Sequence, residues 1–266
     1  MLTDRPDQAC RIHFLQIFET FGVIIRNEWL NLIIIGIILN LVPSILFDWF
    51  AIDPQLRVDG TLWRYSVGGY FVFLCNGAFS VLIVRVGLSV AKNLDPVDDR
   101  LISIYGRFLL FSVLADAIPL IESSLSLVNP DLAHFLAKFI QIPNLFIKMT
   151  TVALFGAFLP TLFEGVTFRA AIRKSYQYLS GYRVIAIATY ALVCALDFIP
   201  LPIIEILHPS LLFNMSSDKN NIIALYAIAK LFSMVFEISW LIIVSSFYLL
   251  IRRRGYDQQS MASLFD

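Results

Sequence analysis

The sequence predicts an all-α membrane protein, a polytopic bundle of six transmembrane helices arranged as three helical hairpins. Three observations predict this class. Hydrophobic residues form 58% of the 266-residue chain and charged residues only 15%, and several apolar runs exceed the ~18–20 residues that cross a bilayer. A polar residue three positions before a proline recurs three times inside apolar runs. The basic residues are concentrated in alternate connecting segments.

Six apolar spans account for most of the chain. They are expected at about residues 29–50, 65–91, 107–127, 137–163, 183–207 and 222–251. Trp29 and Trp49 bracket the first span, ~30 Å of helix apart, a separation that suits two interfacial tryptophans. The second, fourth and sixth spans are longer than a bilayer requires, so tilt or projection into water is expected there.

The recurring polar residue and proline indicate an internal repeat. The pairs are Asn40 with Pro43, Asp116 with Pro119, and Asp197 with Pro200. Each interval between prolines holds two membrane crossings. The chain is therefore interpreted as one membrane domain over residues 1–266, with repeat units at about 11–93, 94–165 and 166–254 and a polar cytoplasmic tail at 255–266. A proline kinks a helix and leaves backbone groups of the preceding turn without hydrogen bonds, and a nearby polar side chain can bind those groups. The alternative is that the kinks act as hinges.

Two connecting stretches are predicted to be amphipathic helices that lie in the membrane interface. One precedes the first span, over about residues 14–25, and the other precedes the fifth, over 168–180. In the second, basic Arg169, Arg173 and Lys174 lie off the apolar face. That face is formed by Phe168, Ala171, Ile172, Tyr176 and Leu179. A basic amphipathic helix suits the headgroup boundary, and the alternative is a short helix packed on neighbouring cytoplasmic turns.

The distribution of basic residues predicts the orientation. Fourteen Lys and Arg residues lie in the N-terminal segment, the second and fourth connections with the adjoining ends of the spans, and the C-terminal segment, whereas four lie in or beside the remaining connections. By the positive-inside rule, both termini are expected to be cytoplasmic.

Polar and charged residues inside the predicted spans are the candidate functional residues. They are Asn40, Asp116, Lys148, Asp197, Lys230 and Glu237. An ionisable group in hydrocarbon costs at least ~2.5–3.5 kcal/mol on insertion scales, so ion partners or a wet cavity are expected. Asp197 and Lys148 are predicted at overlapping depths, which allows an ion pair near the midplane. These residues either form a polar cavity for an ion, proton or lipid headgroup, or they are pairs that hold particular helices together.

Motifs for catalysis and for nucleic-acid binding are missing from the sequence. The formal net charge is zero, which excludes nucleic-acid binding driven by bulk basicity. The three histidines, His13, His134 and His208, lie in three different regions and form no predicted metal cluster. Serine-hydrolase, phosphate-loop and zinc-protease motifs are absent. We therefore expect no catalytic residue, no cofactor and no metal.

The segment Glu164–Gly181, which reads EGVTFRAAIRKSYQYLSG, resembles a signature of bacterial six-helix membrane proteins. These are the YciC-like proteins and the membrane domain attached to some glycerophosphodiester phosphodiesterases. In that group an acidic-Gly pair ends the fourth span, and an amphipathic Ala-Leu-x-x-Ser-x-x-Leu-x-x-Gly stretch follows. The Phe18–Asn27 stretch also resembles the lead-in helix of the group. The resemblance implies a six-helix domain in the bacterial inner membrane, and it implies no catalytic residues, since the phosphodiesterases catalyse in a separate soluble domain.

These observations favour a non-catalytic inner-membrane protein, a scaffold or accessory module in envelope or lipid homeostasis. The expected partners are membrane lipids and an unidentified membrane protein, and no nucleic acid. The alternative is a transporter or lipid-handling channel that uses the intramembrane Asp and Lys residues. An intramembrane enzyme is the third interpretation.

Overall fold

The computed structural model of the protein is helical, without strands, in the residues that it describes. Those residues are 14–46, 61–90, 100–115, 146–147, 149–180, 182–197 and 219–262. Three helices are long and apolar enough to cross a membrane, and they span Leu15–Leu46, Gly69–Ser89 and Lys230–Arg252. The prediction of an all-helical membrane protein is confirmed at this level, whereas the six spans and the three-hairpin repeat stay predictions.

Within the described residues, seven α-helices are numbered in chain order. They are α1 (Phe14–Gly36), α2 (Thr61–Ser89), α3 (Leu101–Ala115), α4 (Phe158–Leu162), α5 (Phe168–Leu179), α6 (Arg183–Asp197) and α7 (Lys219–Ala262). The chain leaves α1 through a π-helical segment, Ile37–Leu41. Residues 149–155 are also helical, and a turn at Gly156 and Ala157 separates them from α4.

Helices α1, α2 and α7 contact one another in the centre of the bundle. Their buried side chains form a common apolar core of Ile24, Leu32, Phe79, Ile83, Met234, Ile238 and Ile242. Two glycines permit the close approach. A Cβ atom on Gly36 would lie 2.8 Å from the Met234 sulfur, and one on Gly87 would lie 2.9 Å from Ser245 Cβ. Small residues at such contacts are typical of helix packing in membranes.

A second apolar core surrounds α4. The ring of Phe158 stacks on Phe111 of α3, with centroids 4.3 Å apart, and meets Phe168 of α5 edge-on at 5.5 Å. The same core includes Leu88 of α2 and Tyr248 of α7. This core therefore joins α3, α4 and α5 to the central helices.

Helix α5 corresponds to the amphipathic helix predicted over residues 168–180. Thr167 caps its first turn by accepting a hydrogen bond from the Ala170 amide. Its apolar side chains pack on the bundle, with Ile172 against the α4 core and Leu179 buried beside α1 and α7. This packing supports the alternative of a helix docked on neighbouring turns. The outer face exposes Arg169, Arg173 and Tyr176.

Large apolar side chains are exposed along the outside of the long helices. Examples are Leu30 on α1, Ile38 in the π-helical segment, Phe71 on α2, and Leu231 and Val235 on α7. Exposed apolar surface of this extent is characteristic of proteins that face lipid or a partner.

Candidate functional site

The π-helical segment Ile37–Leu41 lies just before Pro43. Because proline has no amide hydrogen, it cannot donate to the carbonyl oxygens of the preceding turn. The chain widens here, and the Val42 amide donates to the Ile37 carbonyl oxygen five residues earlier. Such π-helical turns move side chains off the α-helical register and are frequent at functional sites. Asn40 lies in this turn, with only 4% of its surface exposed.

Asn40 joins polar side chains from three segments of the bundle. Its Nδ2 donates to Oε2 of Glu237 on α7 at 2.5 Å and to Oδ1 of Asn76 on α2 at 3.3 Å. We call Asn40, Asn76 and Glu237 the interior cluster. Sequence reasoning had singled out Asn40 and Glu237 but had missed Asn76. Asn76 could have been found from the sequence as an amide side chain within an apolar run, because such side chains form hydrogen bonds between membrane helices.

The interior cluster places one carboxylate on an otherwise apolar stretch of α7. Glu237 lies within the apolar segment Lys230–Arg252, and its side chain is exposed whereas Asn40 is buried. The Asn40 amide can donate to a carboxylate oxygen, and it can equally donate to the carbonyl oxygen of a protonated carboxyl group. The cluster can therefore hold Glu237 in either ionisation state.

The other sequence candidates are not brought into this cluster by any described contact. Lys230 is half-buried on α7, two turns before Glu237. Asp197 is the last residue of α6, and its side chain lies outside the described part of the structure. The remaining candidates, Asp116, Lys148, Pro119 and Pro200, also lie outside the described residues. Pairing of these Asp and Lys residues stays a prediction.

A second polar cluster lies where α4 meets α5. The Glu164 side chain is only 9% exposed and accepts hydrogen bonds from Lys174 Nζ at 2.5 Å, Tyr248 OH at 2.6 Å and Tyr178 OH at 3.0 Å. Arg252 Nη1 donates to the Tyr248 hydroxyl at 3.3 Å. We call these five residues the Glu164 cluster. It connects the α4–α5 turn to both α5 and α7.

Burial and hydrogen bonding oppose each other at Glu164. Burial raises the pKa of its carboxyl group, but hydrogen bonds from Lys174, Tyr248 and Tyr178 and the charge of Lys174 outweigh burial and hold that pKa below the ordinary 4.5. Burial and the neighbouring carboxylate together raise the pKa of Tyr178 to about 12. Near neutral pH the carboxylate thus stays charged and the Tyr178 hydroxyl stays protonated, which suits a fixed network.

Two arginines from α3 and its start reach the same turn. Arg107 Nη1 donates to the Val166 carbonyl oxygen at 2.7 Å. Arg100 Nη1 is 3.7 Å from the position of a Cβ atom on Gly165, whose φ of +73° glycine adopts without strain. Three segments that the basic-residue pattern assigns to one side of the membrane therefore meet at one end of the bundle. Arg100, Arg107 and Arg252 are among the fourteen basic residues that predict the orientation, and the sequence did not predict that they meet.

A small cavity of about 20 Å³ lies between the start of α1 and helices α5, α6 and α7. Ile17, Leu179, Trp240 and Phe247 are among its apolar lining residues, and Thr189 contributes a hydroxyl. This volume holds about one water molecule and no larger solute. Within the described ranges, no group of three or more His, Cys, Asp or Glu residues could hold a metal ion.

The chain matches no protein-family model, no curated protein and no solved structure. The fold defines its class as a helical protein with three helices long and apolar enough to cross a membrane, and the two clusters add polar contacts between its helices. The resemblance to YciC-like proteins stays a prediction.

Proposed function

We propose that this protein is a non-catalytic, multi-pass protein of the bacterial inner membrane, similar to the YciC-like group, that acts as a scaffold or accessory module in envelope or lipid homeostasis. The proposal includes six spans in three hairpins, cytoplasmic termini, and lipids and a membrane protein as partners. One observation carries it. Glu164 and Glu237, two carboxylates that lie at helix contacts, are both hydrogen-bonded to side chains from other elements.

These contacts join elements that are distant along the chain. Glu164 binds Tyr248, 84 residues away, and Glu237 binds Asn40, 197 residues away. Hydrogen bonds between membrane helices contribute on average ~0.6 kcal/mol, and those to charged groups contribute ~1.5–3 kcal/mol. Contacts of this kind stabilise one arrangement of helices, which is what a scaffold requires of its interior.

The exposure of Glu237 favours one alternative, a transporter or lipid-handling channel. Charged groups within membrane segments commonly mark ion and proton pathways. Glu237 accepts a hydrogen bond from Asn40, is exposed, and lies beside a π-helical turn. A group in this position can take up and release a proton or a cation.

The substitution Glu237→Gln separates the two functions. Glutamine has nearly the same shape and keeps a carbonyl oxygen that can accept from Asn40 Nδ2, but it cannot ionise. The scaffold function expects this variant to retain thermal stability in detergent and to restore growth of a deletion strain under envelope stress. The transport function expects it to fold normally and to fail in the growth assay.

Two further variants serve as controls. Asn40→Ala removes the donor and should lower thermal stability under either function, because Glu237 then loses a partner. Ser239→Ala should leave stability and growth unchanged, since the Ser239 hydroxyl bonds only within its own helix, to the Val235 carbonyl oxygen, in the contact that the structure shows. A folded Glu237→Gln protein that cannot restore growth would refute the scaffold proposal.

A further inference from the structure

Basic side chains from three segments surround the turn at residues 164–166. Arg107 reaches it from α3, Arg100 from just before α3, and Lys174 from α5, while Arg252 of α7 is linked to it through Tyr248. Glu164 is the carboxylate at the centre. In the part of the chain that the structure describes, the charged side chains at this turn are thus mostly cationic.

The position of the turn suggests where such a group of cations acts. It directly follows the apolar helix that ends at Leu162, and it is level with Arg252, the end of the apolar segment of α7. Ile102 lies two residues after Arg100, and its apolar side chain is 88% exposed. Basic donors and an exposed apolar side chain therefore both lie at this end of the bundle.

We propose that this turn and its basic side chains bind the phosphate group of an anionic phospholipid, with Arg100 and Arg107 as the principal donors. A guanidinium group has five N–H donors in a planar fork that matches phosphate oxygens. The contact of Arg107 with Val166 uses one of them. The start of α5 at Phe168 adds the partial positive charge of a helix N-terminus. The proposal rests on the membrane location given above and is independent of the scaffold role.

This site differs from the diffuse attraction expected of the outer face of α5. Arg169 and Arg173 are exposed on that face. Any surface cation is attracted to a charged membrane without forming a specific site. A specific binding site differs from such attraction in one respect. Removing its own pair of arginines weakens lipid binding more than removing another pair that carries the same charge.

The test uses the purified full-length chain in uncharged detergent micelles, with phosphatidylglycerol or phosphatidylcholine titrated in. Native mass spectrometry counts the retained lipids, and thermal unfolding measures stabilisation. Arg100→Gln/Arg107→Gln is compared with Arg169→Gln/Arg173→Gln, a matched control that removes the same charge. We expect the first variant to bind phosphatidylglycerol about 30-fold more weakly, because it loses charge-assisted hydrogen bonds to the phosphate, and the control to stay within about threefold of the unchanged protein, because an uncharged micelle presents no anionic surface.

Each other outcome has a defined meaning. Equal losses in the two double variants would overturn the site in favour of diffuse surface attraction, as would equal binding of the two lipids. Inorganic phosphate is titrated in parallel, and full stabilisation by phosphate alone would overturn a lipid as the occupant. Because Arg107→Gln also removes the contact with Val166, Arg100→Gln is measured alone and must itself weaken lipid binding several-fold. The binding readout is separate from the growth assay on Glu237→Gln, so either proposal can fail without the other.

Discussion

Replacing Tyr248 with phenylalanine removes a single hydroxyl group from the most buried donor of the Glu164 cluster. Tyr248 is 1% exposed, and its hydroxyl lies 2.6 Å from Glu164 Oε1. Hydrogen bonds to charged groups contribute ~1.5–3 kcal/mol, and burial prevents water from replacing the lost donor. We expect Tyr248→Phe to lower the free energy of unfolding by about 2 kcal/mol.

The other two donors to Glu164 should contribute less. The Tyr178 hydroxyl donates at 3.0 Å and is less deeply buried, so Tyr178→Phe is expected to cost about 1 kcal/mol. The Lys174 side chain is 40% exposed, so solvent screens its ion pair, and Lys174→Met is expected to cost at most ~1 kcal/mol. Burial, rather than formal charge, thus sets the order of the three effects.

The assay is reversible unfolding by SDS in mixed micelles, followed by circular dichroism. Tyr176→Phe is the matched control, because Tyr176 lies on the exposed face of α5, and its change should stay within ~0.5 kcal/mol. In a Glu164→Gln background, Tyr248→Phe should cost about 1 kcal/mol less than in the unchanged protein. Additive effects of these two substitutions, or a larger loss from Lys174→Met than from Tyr248→Phe, would refute the reasoning.

The remaining predictions concern pH, helix packing and orientation. The folded-state pKa of Glu164 lies below its ordinary 4.5, so the stability that its charge provides should be present above pH 4.5 and lost as the pH falls through the folded pKa. When unfolding is measured across that pH range, Glu164→Gln should remove this dependence. Gly87→Ala should lower the free energy of unfolding in SDS by ~1–3 kcal/mol, because the new Cβ atom would lie 2.9 Å from Ser245 Cβ. Gly22→Ala should leave the free energy of unfolding unchanged or raise it, because no atom lies within 4 Å of the new Cβ atom. In a chain without native cysteines, single cysteines placed in the predicted outer loops should react with an impermeant thiol reagent in intact cells. Reaction only after permeabilisation would show that the orientation is the opposite of the predicted one. The labelled positions are Asp59, Asp131 and Asp218.

The sequence by itself determined the helical class, with helices apolar enough to cross a membrane, and the position of α5, whereas the separate lead-in helix predicted over residues 14–25 is continuous with α1. A long run of apolar residues indicates its own surroundings, because a long helix without charges is stable only in lipid or inside a protein. The position of α5 was likewise predicted from apolar residues at helical spacing with basic residues between them. It also singled out Asn40 and Glu237, since a polar group in an apolar run requires a partner.

Only the tertiary structure decided which partners those residues have. The contact between Asn40 and Glu237 joins residues 197 positions apart, and Asn76 enters the same cluster from a third helix. Tyr178 and Tyr248 had no signal as partners of Glu164, because tyrosine is common at membrane boundaries for its amphipathic ring alone. The docking of α5 on the bundle was likewise one of two open alternatives. The physical reason is that periodicity describes one helix at a time, whereas pairing depends on how close neighbouring helices approach, as at Gly36 and Gly87.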